Sequence, residues 1–156
     1  SDSRAPVELL FDQALGDVFS VRLAGNIASD KAIGSLEFGS KYLGSKLIVV
    51  MGHSSCGAVK AACDDFKDGH IGEIINLIKP SIRHEKSVTD TSKRNSGNAD
   101  FVEKINVLNV RHQIDTIIRQ SDIVDDMLES NKIGIVGAVY DLATGRVNFL
   151  EDTFVG

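Results

Sequence analysis

The sequence predicts an α/β fold: a mainly parallel β-sheet flanked by helices and finished by a carboxyl-terminal antiparallel hairpin. Three observations carry that expectation. Leu47-Ile48-Val49-Val50-Met51 is a continuous, largely β-branched apolar run, the pattern of a strand buried on both faces. Strand-like and helix-like segments alternate along the first half of the chain, as right-handed βαβ units require. Near the end, Ile133 to Leu142 and the alternating Arg146 to Leu150 flank Ala143-Thr144-Gly145, which reads as a hairpin turn.

The elements follow in order. Pro6 to Leu15 is expected as a short helix, with proline in its first turn and Gly16 as its stop. Val18 to Leu23 alternates like a strand and ends at Ala24-Gly25-Asn26. Ser29 or Asp30 can cap a helix running to Leu43, which Gly44-Ser45 breaks. The strand at Leu47 to Met51 then turns at Gly52 into the loop His53-Ser54-Ser55-Cys56-Gly57, and a helix starts at Ala58. Ile71 to Ile82 has helical spacing, with Pro80 predicting a break or kink. His84 to Asp100 is polar and reads as an exposed, mobile loop. Phe101 to Gln120 is the longest expected helix, and Ser121 or Asp122 can cap a further one through Leu128.

Composition narrows the function. The 156 residues suit one domain, here 1–156. Apolar residues are 42%, before 14 glycines are counted, enough for an ordinary core. A net charge of −5 argues against nucleic acid as a partner, and two cysteines argue against a disulfide scaffold. No stretch approaches the roughly 20 apolar residues of a membrane helix.

The chemistry concentrates at two places. His53 and Cys56 lie on a strand-to-helix turn at the carboxyl end of a buried strand, where open α/β sheets bind ligands. An imidazole and a thiolate three residues apart can reach one zinc ion. On spacing alone, a satisfied polar histidine and a small buried cysteine are the commoner reading of such a pair. At the amino terminus, Asp2 and Arg4 are placed to pair in fork geometry or simply as a surface ion pair. Cys63 reads as a small buried residue, and His70, His84 and His112 as solvated side chains or proton-transfer candidates.

Ser1-Asp2-Ser3-Arg4 together with Gly52-His53-Ser54-Ser55-Cys56-Gly57 resembles the β-class carbonic anhydrases, its plant-like branch in particular. That family carries Cys-x-Asp-x-Arg at one strand end and His-x-x-Cys at another. Asp2 and Arg4 match the first motif and His53 and Cys56 the second. The resemblance continues through Phe19 to Asn26 and Val136 to Asp141. It implies reversible hydration of carbon dioxide to bicarbonate at one zinc ion per subunit, the metal lowering the pKa of a water to about 7. It implies His53 and Cys56 as metal ligands. Asp2 either orients the attacking water or binds zinc itself in a closed site, and Arg4 controls which. Phe19, Phe38 and Gly57 fall at substrate-pocket positions, with Phe38 where a tyrosine is frequent. It further implies a homodimer or larger homo-oligomer in the cytoplasm or an organelle stroma.

One departure stands out. The family's first zinc-ligand cysteine lies two residues before the Asp, where this sequence has none. The resemblance therefore implies a chain that begins inside the site, without the strand that precedes Asp2. A carbonyl sulfide or carbon disulfide hydrolase on the same scaffold, and a non-catalytic relative, are the alternatives.

Overall fold

The computed structural model describes residues 2–156. Among them, strands β1 (Leu47–His53), β2 (Gly134–Asp141) and β3 (Arg146–Val155) form a sheet in the order β1-β2-β3. β1 and β2 are parallel, in register from Leu47 opposite Gly134 to His53 opposite Tyr140. β2 and β3 are the antiparallel hairpin, with a register shift between Ile135 and Gly137. Asp141 sets its turn by accepting from the Ala143 amide and the Thr144 hydroxyl, and Gly145 takes φ +71°.

The helices are α1 (Val7–Leu10), α2 (Asp30–Lys41), α3 (Gly57–Cys63), α4 (Ile71–His84), α5 (Ala99–Gln120) and α6 (Asp122–Glu129). Ser29 caps α2 and Ser121 caps α6, each hydroxyl accepting from the amide three residues on. α5 organises the core. Its carboxyl-terminal half, Val110, Ile114 and Ile117, packs with Ile48, Val50 and Ile135 of the sheet and with Val124 and Leu128 of α6. Its amino-terminal half, Phe101, Val102 and Ile105, packs with Val59 of α3 and Ile75 and Ile78 of α4. Cys56 belongs to this second cluster.

Several sequence expectations need correction. The predicted strand at Val18 to Leu23 is not a strand: the segment makes no ladder with any described residue. It forms one wall of a groove of about 560 Å³, with Leu47 to Met51 of β1 on the other side. Alternation suits such a segment to a sheet, but a strand exists only where a neighbour bonds its amides and carbonyls. The sheet of the described residues therefore has one parallel and one antiparallel pair.

The first helix is one turn, Val7–Leu10, because Phe11 leaves helical geometry and Asp12 takes φ +52°. β1 runs through Gly52 to His53 instead of turning at the glycine. Gly52 is needed for close approach: a Cβ there would stand 2.7 Å from Asn106 Oδ1 and 2.9 Å from Val110. α4 continues through Pro80 to His84, held in place by its buried residues Ile75 and Ile78.

The segment after α4 is not a free loop. Glu85, 4% exposed, accepts from the Ser87 and Val88 amides, the Ser87 hydroxyl and Arg94, whose guanidinium also bonds the Val88 and Ile82 carbonyls and lies over Phe101. No helix of the described residues is long and apolar enough to cross a membrane.

Candidate metal centre

β1 delivers His53 to the sheet's carboxyl edge, and α3 begins at Gly57, so the intervening loop holds Cys56 as the residue before the helix. Three elements fix this loop. Ser54 joins it to β2: its amide donates to the Tyr140 carbonyl (2.9 Å) and its Oγ accepts from the Leu142 amide (3.0 Å). α5 holds it from the other side. Asn106 Nδ2 donates to the His53 carbonyl (2.7 Å), and Glu103 Oε1 accepts from the Ser55 amide (2.8 Å). Ser55 has φ +55°, a left-handed conformation uncommon for a side chain of its kind.

The histidine is set for ligation. His53 Nδ1 lies 3.0 Å from the Ser54 carbonyl, which can only accept. In the neutral ring Nδ1 therefore carries the proton and Nε2 keeps its lone pair. Such a carbonyl partner is the usual outer-shell contact of a metal-bound histidine. Nε2 points to Asp2, 3.6 Å from Oδ2.

The two candidate ligands also tune one another. Pairing with the Cys56 sulfur, assisted by the Ser54 carbonyl, raises the His53 pKa against the opposing effect of burial. Burial pushes the Cys56 thiol up, but His53 and the Val59 and Ala58 amides at the start of α3 outweigh it and lower the pKa. Cys63 has no such partners, and burial pushes its thiol up to about 11. The chemistry of Cys56 and His53, a thiolate-prone sulfur and an aimed imidazole nitrogen, fits zinc.

Asp2 reaches this site on a separate arm. Arg4 clamps it: Nε and the backbone amide each donate to Oδ1 at 2.9 Å, and a terminal nitrogen donates to Oδ2 at 2.6 Å. Those bonds hold the Asp2 carboxyl far below the usual carboxylate range. Arg22 anchors the arm by donating to the Asp2 carbonyl (2.5 Å) and the Ala5 carbonyl (2.6 Å).

Thus the structure brings Asp2, Arg4, His53 and Cys56 together. Among the described residues, no three His, Cys, Asp or Glu side chains form a metal cluster on their own. The position two residues before Asp2, where the resemblance puts a cysteine, precedes the first residue of this sequence.

The pocket candidates Phe19, Phe38 and Gly57 fall in three different places. Phe19 packs on Gly39 and lines the groove beside β1, together with Ala28 and Leu36. Phe38 is 52% exposed and stacks with Tyr42, ring centroids 5.6 Å apart. Gly57 is exposed at the start of α3. His70 is exposed beside Glu73, and His84 meets His112 edge-on at 6.4 Å. Sequence reading missed Glu103, Asn106 and Arg22. The signal for the first two was present: acidic and amide side chains at helical spacing with the core residues of the longest helix.

Fold and site define an α/β protein with a histidine and a cysteine three residues apart on a loop at a strand end. A family model described as carbonic anhydrase matches residues 1–147. Carbonic anhydrase 2 of Mycobacterium tuberculosis is 32% identical over 154 residues, covering 94% of this chain and 69% of the relative. The carbonic anhydrase of Mycolicibacterium smegmatis is 35% identical over 151 residues, with the same 94% and 69% coverage. Among solved structures, the Coccomyxa β-carbonic anhydrase bound to acetazolamide superposes with a TM-score of 0.79 at 29% identity, covering 96% of this chain and 68% of that one. A tetrameric β-carbonic anhydrase of Sordaria macrospora superposes with a TM-score of 0.83 at 25% identity, covering 96% and 76%. The chain belongs to the carbonic anhydrase family, in its β class.

Proposed function

We propose that this chain catalyses the reversible hydration of carbon dioxide to bicarbonate and a proton, with His53 and Cys56 among the protein ligands of one zinc ion. The observation that carries the reading is the His53 Nδ1 contact with the Ser54 carbonyl, which leaves Nε2 free and aimed at Asp2 beside a thiolate-prone Cys56. Zinc bound there supplies a water that ionises near neutral pH. Asp2 stays ionised because both of its carboxylate oxygens accept from Arg4, and it offers Oδ2 to orient the attacking water. Arg4 also keeps those oxygens occupied, which favours the orienting role of Asp2 over the ligand role. Arg22 holds the arm in register through its backbone, so Asp2 meets the loop at a set position.

Metal analysis and stopped-flow carbon dioxide hydration test this reading. The expected result is about one zinc per chain and a hydration rate that disappears in His53→Ala. A zinc-replete sample that does not hydrate carbon dioxide would overturn it.

Assembly into a homodimer or larger homo-oligomer is part of the same proposal. The Sordaria macrospora relative is described as tetrameric, and the amino-terminal segment here leaves Leu9 78% and Leu15 96% exposed. Apolar side chains so exposed fit a subunit contact. Light scattering on the purified protein decides the oligomeric state.

A further inference from the structure

α5 carries a row of buried amides between its two apolar halves. Asn106, Asn109 and Gln113 are at most 1% exposed. Amides in a core lower stability unless they are bonded, and most of these are. Asn109 donates to the Gly25 carbonyl, and Gln113 joins the Ala28 amide, the Leu77 carbonyl and Asn109. These bonds hold the chain between the 3-10 turn at Ala24–Asn26 and α2.

Asn106 differs from its neighbours. Its Nδ2 serves the metal loop through the His53 carbonyl, while its Oδ1 is buried without a protein partner. Asn26 Nδ2 is also buried without one. Both side chains crowd Gly52: a Cβ there would meet Asn106 Oδ1 at 2.7 Å and Asn26 Oδ1 at 3.4 Å. Leaving a buried amide oxygen unpaired is destabilising, so Asn106 holds the loop at His53 at some cost to the fold.

We propose that Asn106 is a positioning residue for the metal loop, fixing the backbone at His53 while Glu103 fixes it at Ser55. The inference rests on the zinc reading of His53 and Cys56. The His53 ring is oriented by its own loop, through Nδ1 and the Ser54 carbonyl, so the ring goes where that main chain goes. Between the two ligands, Ser55 sits in a left-handed conformation whose amide needs the Glu103 carboxylate. α5 thus sets the main chain that carries the imidazole and the Cys56 sulfur by bonding its carbonyl at His53 and its amide at Ser55. Outer contacts of this kind change metal affinity by roughly 10- to 100-fold.

The test compares the full chain with Asn106→Asp, which keeps the size but loses the donor, and with Glu103→Ala at the loop's other tether. Ile117→Ala, in the far half of α5, serves as a stability control. Zinc affinity is read by chelator competition, ligand geometry by the visible spectrum of the cobalt(II)-substituted protein, and folding by circular dichroism. The expected result is zinc binding at least tenfold weaker and an altered cobalt spectrum in Asn106→Asp, smaller changes of the same sign in Glu103→Ala, and neither change in Ile117→Ala. If Asn106→Asp does not fold, Glu103→Ala decides by the same two readouts. Parent-like zinc affinity and cobalt spectrum in folded variants at both tethers would overturn the inference while leaving the zinc reading intact. Equal weakening in Ile117→Ala would overturn it as a mere stability effect. A parent protein that takes up neither metal would overturn the zinc reading and this inference together.

Discussion

The two halves of the candidate site are built in opposite ways. The His53–Gly57 loop is tied to residues far away in sequence: Tyr140 and Leu142 of the hairpin strand and its turn, Glu103 and Asn106 of α5. The Asp2–Arg4 arm is tied mainly to itself, by an ion pair between residues two apart, with Arg22 as its long-range anchor. Cys56 is 4% exposed in the core, whereas the Arg4 side chain is 58% exposed. The ligand loop therefore depends on the whole domain, and the arm can be loosened without unfolding anything. Metal binding and water orientation should separate by mutation.

The largest effect should come from the loop. Cys56→Ser keeps the volume but exchanges a thiolate for a hydroxyl, which is a poor zinc ligand at neutral pH. Zinc should be lost and carbon dioxide hydration should fall to background, while circular dichroism stays native; retained stoichiometric zinc would contradict the assignment of Cys56.

Next is the arm's anchor. Arg22→Met removes both bonds to the Asp2 and Ala5 carbonyls. Hydration should drop by about 10- to 100-fold, the scale of a small misplacement of a reacting group. Zinc content should not change, and joint loss of zinc and activity would mean that the two halves are not separable.

A smaller, pH-dependent effect belongs to Arg4→Ala. Hydrogen bonds from Arg4 are the main reason that the Asp2 carboxyl is held far below its ordinary value of 3.8. In the native chain Asp2 is thus ionised throughout the range in which carboxylates normally titrate. Without Arg4 its pKa rises toward 3.8, so the Asp2 contribution is lost earlier as pH falls. The Asp2 carboxyl, followed by carbon-13 NMR, should titrate at higher pH in Arg4→Ala than in the parent, and an unmoved titration would remove Arg4 from this role.

The smallest effect on the site should come from the Glu85–Arg94 clasp, which touches neither half. The Ser87 hydroxyl, the Val88 and Ser87 amides and Arg94 together hold the Glu85 carboxyl down at about 2, against an ordinary 4.5. Its contribution to stability is fully present above pH 4.5 and is lost as pH falls from 4.5 toward 2. Glu85→Gln should flatten thermal stability over that window and leave zinc affinity unchanged. Persistence of the native pH slope would count against the clasp.

Much of the site could be read directly. Each ligand candidate falls within a short local motif, and local motifs survive in a one-dimensional text: the apolar run of β1, the His-x-x-Cys loop, the Asp-x-Arg pair. Ser29 and Ser121 announced two helix starts for the same reason, since a cap is a contact between residues two or three apart. The Val18 to Leu23 segment misled because alternation records which faces a strand would present and says nothing of whether a partner lies beside it. The polar stretch after α4 is largely exposed, as its composition reads, but its anchor was not legible, because Glu85 and Arg94, ordinary surface residues by type, pair only after the chain folds back.

By itself, then, the sequence determined the α/β class, the capped helices and the hairpin, and it named the candidate site residues. Each of these rests on side-chain type and on spacings shorter than one element. Only the tertiary structure decided that Gly52 stays in the strand to make room for Asn106, that α5 holds the loop, and that Arg22 anchors the arm. The physical reason is range. A hydrogen bond between His53 and Asn106 joins positions 53 apart in the chain, and nothing in either neighbourhood encodes the distance between them until the core has packed.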